Sequence, residues 1–183
     1  MVADNGNSDM AGFEGKASDA AYDLHAAVTK TGRDLILVGF TEEVSDLAGT
    51  ARTVQEAMRR AIGEQQGSAP LTVGGFGRGA LLARFALAMM ERQMMDHQTE
   101  AYFSYNSTRP ANQDETDALE SVGTMPQRPR ALKLTVGVAD VEGLSEKDDQ
   151  FRSDFSDTFY SNETATTSLM TAPAGQWLLG NLS

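Results

Sequence analysis

LTVGGFGRGALLARFAL, running from Leu71 to Leu87, is the stretch whose reading decides the fold. Leu71 to Phe76 is a short continuous apolar run, the pattern of a strand buried on both faces of a parallel sheet. Gly74, Gly75, Gly77 and Gly79 then crowd a tight turn. From Ala80 onward strong helix formers follow without interruption through Met95. The stretch therefore predicts strand, sharp glycine turn and helix in direct succession.

Working outward, DLILVGF (34–40) predicts an earlier strand of the same buried kind. A helix over 20–31 precedes it, with Tyr22, Leu24, Ala27 and Val28 as its apolar face and Gly32 as its stop. A second helix, starting near Ser45 or Thr50 and ending at Ile62, presents Val54, Ala57, Met58 and Ala61 on one side. Downstream, AYFSYNS (101–107) and ALKLTVGVAD (131–140) predict two more strands. The polar stretch 108–130, with three prolines, reads as a loop holding one short helix at 115–121. Strands alternating with helices at this spacing imply right-handed crossovers and an α/β, mostly parallel sheet covered on both sides. The expected organisation is a disordered lead-in (1–19), an α/β domain (20–143) and a polar, partly ordered segment (144–183). The final APAGQWLLGNLS would form a terminal helix anchored by Trp177 and Leu178.

Three mechanisms account for the glycine turn. In a hydrolase elbow, G-x-S-x-G, a strand breaks sharply into a helix and the flanking glycines let the chain approach its neighbours. Gly75 and Gly79 take the glycine places and Gly77 takes the serine place. In a dinucleotide turn, G-x-G-x-x-G/A, the backbone approaches a pyrophosphate at a helix N-terminus. Gly75, Gly77 and Ala80 fit that spacing, but the next strand ends in Asn106 rather than the acid that would hold a ribose. The third is a turn with no ligand.

Three segments, GRDLILVGF (32–40), LTVGGFGRGALLARFALAMMER (71–92) and AYFSYNSTRP (101–110), resemble the lipases and esterases of the α/β-hydrolase superfamily, in particular lipase-like proteins grouped with GPI inositol deacylases. There the elbow reads G-x-S-x-G-G and continues into L-x-A-R-x-A-L, which Leu81 to Leu87 matches. The resemblance implies a shortened hydrolase-like three-layer sandwich. It also implies an acid at Asp140, after the strand Leu132–Ala139, and an oxyanion hole from the Arg78 N–H and the loop at Phe40 and Thr41. The Thr-Pro-His-x-Gly loop of such families is replaced here by Asn106 to Pro110.

The catalytic set implied is incomplete. Gly77 has no side chain, and no histidine follows Asp140, since His25 and His97 both precede it. Losing nucleophile and base together removes serine hydrolysis. The expectation is a non-catalytic binding or interaction module, with the elbow Gly75, Gly77 and Gly79 as a vestige. Its residual ligand site would be the strand-end rim of Phe40, Thr41, Gly77, Arg78, Asn106 and Arg109, suited to a small anion. An alternative is an enzyme using that rim for lyase or cyclase chemistry, and a weaker one a dinucleotide-binding protein. Met89, Met90, Met94 and Met95 read as core packing or as an adaptable surface for a partner chain or a second copy. His97 reads as a helix-end residue favoured by the dipole.

The remaining composition sets bounds. The chain has 183 residues and a net charge of −11, which repels phosphate backbones and argues against nucleic acid. It has no cysteine, and neither its residue pattern nor its two histidines suggest a metal or cofactor. The first 20 residues have no basic start or apolar run, and no stretch is long and apolar enough for a membrane span, so the expected location is cytoplasmic.

Overall fold

A computed structural model of the chain describes residues 1–4, 9–40, 46–137 and 155–182. In chain order its elements are α1 (Met10–Ala17), β1 (Ser18–Asp19), β2 (Tyr22–Asp23), α2 (Leu24–Lys30), α3 (Leu47–Glu64) and β3 (Leu71–Phe76). They continue with α4 (Arg78–Arg92), β4 (Thr99–Tyr105), α5 (Gln113–Ser121), β5 (Arg130–Val136), β6 (Asp157–Ser161) and α6 (Ala172–Gly180).

Four strands form one sheet in the order β3-β4-β5-β6, every pairing parallel. Side chains alternate across it, as the two-residue period of a strand requires. Val73, Tyr102 and Ala131 pack with α3, α4 and α5 in one core. Phe76, Phe103, Tyr105, Leu132 and Leu134 pack with α1, α2 and α6 in the other. The architecture is the expected three-layer α/β sandwich. β1 and β2 make a separate antiparallel pair. No helix among the described residues is long and apolar enough to cross a membrane.

α4 carries buried residues almost all round, from Arg78 to Ala88 and at Met90, as befits a helix packed against β3, β4 and the neighbouring α3. It ends at Arg92, sooner than the sequence predicts, and Met94 then takes a left-handed φ of 56°. Met90 is fully buried and Met89 and Met95 pack on the core, but Met94 is 92% exposed.

Two stretches depart from expectation at the sheet's first edge. Residues 34–40 do not form a strand buried on both faces; the segment makes one isolated parallel bridge, Val38 to Val2, and leaves Ile36 49% exposed. The reason lies in the opening residues, whose Gly-, Asn- and Asp-rich composition reads as disorder. Met1 to Ala3 insert between 34–40 and β3. Val38 N–H donates to Met1 O and Ala3 N–H to Val38 O, both at 2.9 Å. Val2 N–H donates to Gly74 O (2.9 Å), and Phe76 N–H donates to Val2 O (3.1 Å). Val2 and Ala3 are buried, and Phe13 of α1 meets Phe76 edge-on at 6.1 Å between centroids. Within 1–19 the described residues thus include a helix and four core side chains, Val2, Ala3, Phe13 and Ala17. At the other end, β6 and α6 bring the described residues of 144–183 into the sheet and the second core.

Candidate functional site

The elbow is built from β3 and α4 with one residue, Gly77, between them. Its φ of 50° and ψ of −119° lie in a region that side chains enter only under strain. The turn is pinned from both sides. Gly77 N–H donates to Tyr105 O (2.9 Å), and Gly77 O accepts from Ala80 N–H (3.2 Å) and Thr108 N–H (3.3 Å). Gly75 and Gly79 face each other, so that a Cβ on Gly75 would lie 2.6 Å from the Gly79 carbonyl carbon. The same Cβ would lie 2.7 Å from Val2 O, and one on Gly79 would press on the carbonyl oxygens of Val2 and Ala3. Glycine at these positions is a requirement of packing.

The space that a side chain at position 77 would need is filled by Asp4. A Cβ there would lie 2.6 Å from Asp4 Oδ2, and Asp4 Oδ1 accepts from Arg78 N–H at 2.8 Å. α4 has no cap of its own because Gly77 has no side chain, so a residue 74 positions away caps it. Replacing Asp4 with alanine is expected to cost about 1 kcal/mol, the usual value of a capping carboxylate. A lower urea midpoint at unchanged m-value would register it.

Arg78, expected at the rim as part of a site for a small anion, is 7% exposed. Its guanidinium makes a two-pronged pair with Glu115 of α5, one prong at 2.8 Å from Nη1 to Oε2. Glu115 Oε2 also accepts from Ala111 N–H (2.7 Å). Burial raises the Glu115 pKa, but the bonds from Arg78 and Ala111 outweigh it and hold the group below its ordinary value. A cation in the first turn opposes the helix dipole. Asp4 and Glu115 together offset it.

Asn106 has a left-handed φ of 46° and acts as a peptide mimic. Its Nδ2 donates to Val136 O and its Oδ1 accepts from Val136 N–H, both at 2.8 Å, extending the β4–β5 ladder by one step. Arg109 is half-buried in the loop that follows, and Phe40 is buried in the first core. The expected roles of Thr41 and Asp140 fall outside the described residues. The structure therefore brings Gly75, Gly77, Gly79, Arg78 and Asn106 to one end of the sheet, with the Arg78 and Asn106 side chains committed to internal partners.

His97 is not at a helix end. It is 1% exposed in the turn leading to β4. Its Nδ1 accepts from Thr99 N–H (3.1 Å), so Nε2 carries the hydrogen given to Glu91 Oε1 (3.1 Å). Glu91 also accepts from the N–H groups of Gln127 (2.7 Å) and Arg128 (2.9 Å). This network sits at the amino end of the sheet, beside an open cleft of about 420 Å³ lined by Ser68, Pro70, His97, Gln98 and Arg128, among others. It is far along the strands from the elbow, and both imidazole nitrogens are engaged. Among the described residues no group of three or more His, Cys, Asp or Glu side chains is placed to hold a metal.

Sequence reasoning missed Asp4 and the Glu115 partner. Asn112-x-x-Glu115 is a local capping signal, and Asn112 Oδ1 does accept from Glu115 N–H at 3.0 Å. Nothing local connects Asp4 to position 77.

Geometry and sequence together define a three-layer α/β domain with a strand-to-helix elbow. In comparisons with known proteins, no protein-family model and no curated protein matches the chain.

Proposed function

We propose that the chain is a non-catalytic α/β-hydrolase-like domain, related in design to lipases and esterases and serving as a binding or interaction module. The observation that carries this reading is the Asp4 carboxylate standing where a nucleophile's side chain would stand, bonded to the Arg78 N–H that would otherwise face an oxyanion. An anionic tetrahedral intermediate would meet a carboxylate there. The same charge weighs against a pyrophosphate at this helix end.

The test is hydrolysis of short p-nitrophenyl esters and labelling by a fluorophosphonate probe. The purified chain is expected to turn over ester no faster than buffer and to stay unlabelled. Gly77→Ser is expected to stay unlabelled too, because no base is in place and the new side chain collides with Asp4. Enzyme-like turnover by the unmodified chain would overturn the reading.

A further inference from the structure

α4 stops in a way that leaves one of the chain's methionines standing in solvent. Met95 N–H donates to Met90 O and Met94 N–H donates to Glu91 O, both at 2.9 Å. Those two bonds are the common close of a helix by a left-handed residue, and glycine is the residue most often found there. Here that residue is Met94, with a φ of 56°. A side chain in this region works against the backbone. Met94 gains almost no packing to offset that, since it is 92% exposed and its neighbours Arg92, Gln93 and Asp96 are exposed as well. The next residue, Met95, turns back onto the first core.

The sequence holds nine methionines, and the fold treats this one differently. Met58, Met90, Met125 and Met170 are at most 5% exposed, and Met1, Met89 and Met95 are half-buried. Met10 comes nearest to it at 44%. A thioether is soft and polarizable, and its oxidation follows access to the sulfur. For a core methionine the oxidised product places a polar S–O group among apolar neighbours, which is costly. At Met94 the product stays in water and displaces no contact. Oxidation there leaves the fold as it was, whereas oxidation of Met90 or Met170 would disrupt a core.

We propose that Met94 is a peroxide-oxidation site of this chain, modified ahead of the other methionines and without cost to the fold. A lone pair on its sulfur attacks one oxygen of the peroxide, and the O–O bond breaks as the S–O bond forms. With hydrogen peroxide, a proton passes from the transferred oxygen to the departing one, which leaves as water. The sulfur is oxidised to the sulfoxide and the peroxide is reduced. The inference goes beyond the reading of the elbow and does not depend on it, since it invokes neither Gly77 nor Asp4. Ester turnover and sulfoxide formation are separate readouts, so either proposal can fail alone.

Treatment of the full chain with dilute hydrogen peroxide tests it, with quenched samples digested and every methionine followed by mass spectrometry. Met94 is expected to oxidise about twofold faster than Met10, in line with their exposures, and about tenfold or more faster than the buried methionines, which react only when the chain opens. Chain oxidised at Met94 alone is expected to melt within about 2 °C of the parent. Met94→Leu should remove the first oxidation event and leave the rates at the other methionines unchanged. Met94→Gly should do the same and melt about 2–4 °C higher, because glycine relieves the left-handed backbone. Another methionine oxidising first would overturn the proposal. So would a larger fall in melting temperature on oxidation confined to Met94, or a Met94→Gly chain that melts below the parent, which would show the side chain supporting the fold.

Discussion

Arg78→Ala is expected to lower the melting temperature by about 6 to 20 °C. The pair it breaks is buried on both sides, with Arg78 and Glu115 side chains 9% and 7% exposed. Removing one partner strands the other charge in a poorly solvated place, which typically costs about 3–5 kcal/mol. In a chain of this length each kcal/mol corresponds to roughly 2–4 °C. The pair itself need not be worth that much, since two apolar residues of similar volume can replace a buried pair at little cost. The double variant Arg78→Met/Glu115→Met should therefore recover most of the loss, and a double-mutant cycle would show strong coupling. If Arg78→Ala melted within 2 °C or so of the parent, the buried pair would not be holding α5 against the elbow.

Gly79→Ala carries the second large effect, and its sign is a contest. Alanine favours a helix over glycine by about 1 kcal/mol. Against that, the new Cβ would sit 2.5 Å from Val2 O and press on Ala3 O as well. Those neighbours are backbone atoms of a segment bonded to β3 on one side and to 34–40 on the other, so they cannot swing aside. Overpacking of that kind costs about 1–3 kcal/mol and more when backbone must move. The clash wins, and a net loss of up to about 2 kcal/mol, larger if the backbone has to move, is expected in urea unfolding. Gly63→Ala in α3 is the control. Nothing lies within 4 Å of its Cβ position. That substitution should stabilise the chain by about 0.5–1 kcal/mol.

Acid is expected to weaken the fold through two carboxylates. Burial raises the Glu91 pKa, but the N–H groups of Gln127 and Arg128 and the His97 ring outweigh it, so the group titrates lower than usual. Glu115 is lowered as well. A depressed folded pKa means that the unfolded chain binds protons first. The stabilisation is present above the unfolded carboxyl value of about 4.3 and is lost as pH falls through the folded values. Melting temperature should hold through mildly acidic pH and drop below about pH 4.3. Glu91→Gln should flatten that drop.

Much of the middle of the chain was legible because its signals are local. Residues 71–76 had to be strand, since a short apolar run ending in glycines leaves few other solutions, and the helix after it is written in residue propensity. Residues 101–105 and 131–136 followed from the same alternation. The stretch 34–40 carries an equally good strand signal and yet makes a single bridge, because what matters there is which segment lies beside it. Composition misled at residues 1–19, where buried Val2, Ala3 and Phe13 stand among polar neighbours. His97 was misplaced because the end of α4 is set by a left-handed Met94 and by capture of the imidazole between Glu91 and Thr99.

By itself, then, the sequence determined the layer order, the strand-to-helix elbow and the absence of a side chain at position 77. Each of those depends on residues that are neighbours along the chain, where propensity and side-chain period act directly. Only the tertiary structure decided what occupies the elbow. Asp4 meets Arg78 across 74 residues, and Glu115 meets it across 37. Such contacts are set by how two packed faces happen to align, and no period or spacing along the chain records them. The glycine turn, open when read as sequence, is closed in the folded molecule by the chain's own first residues.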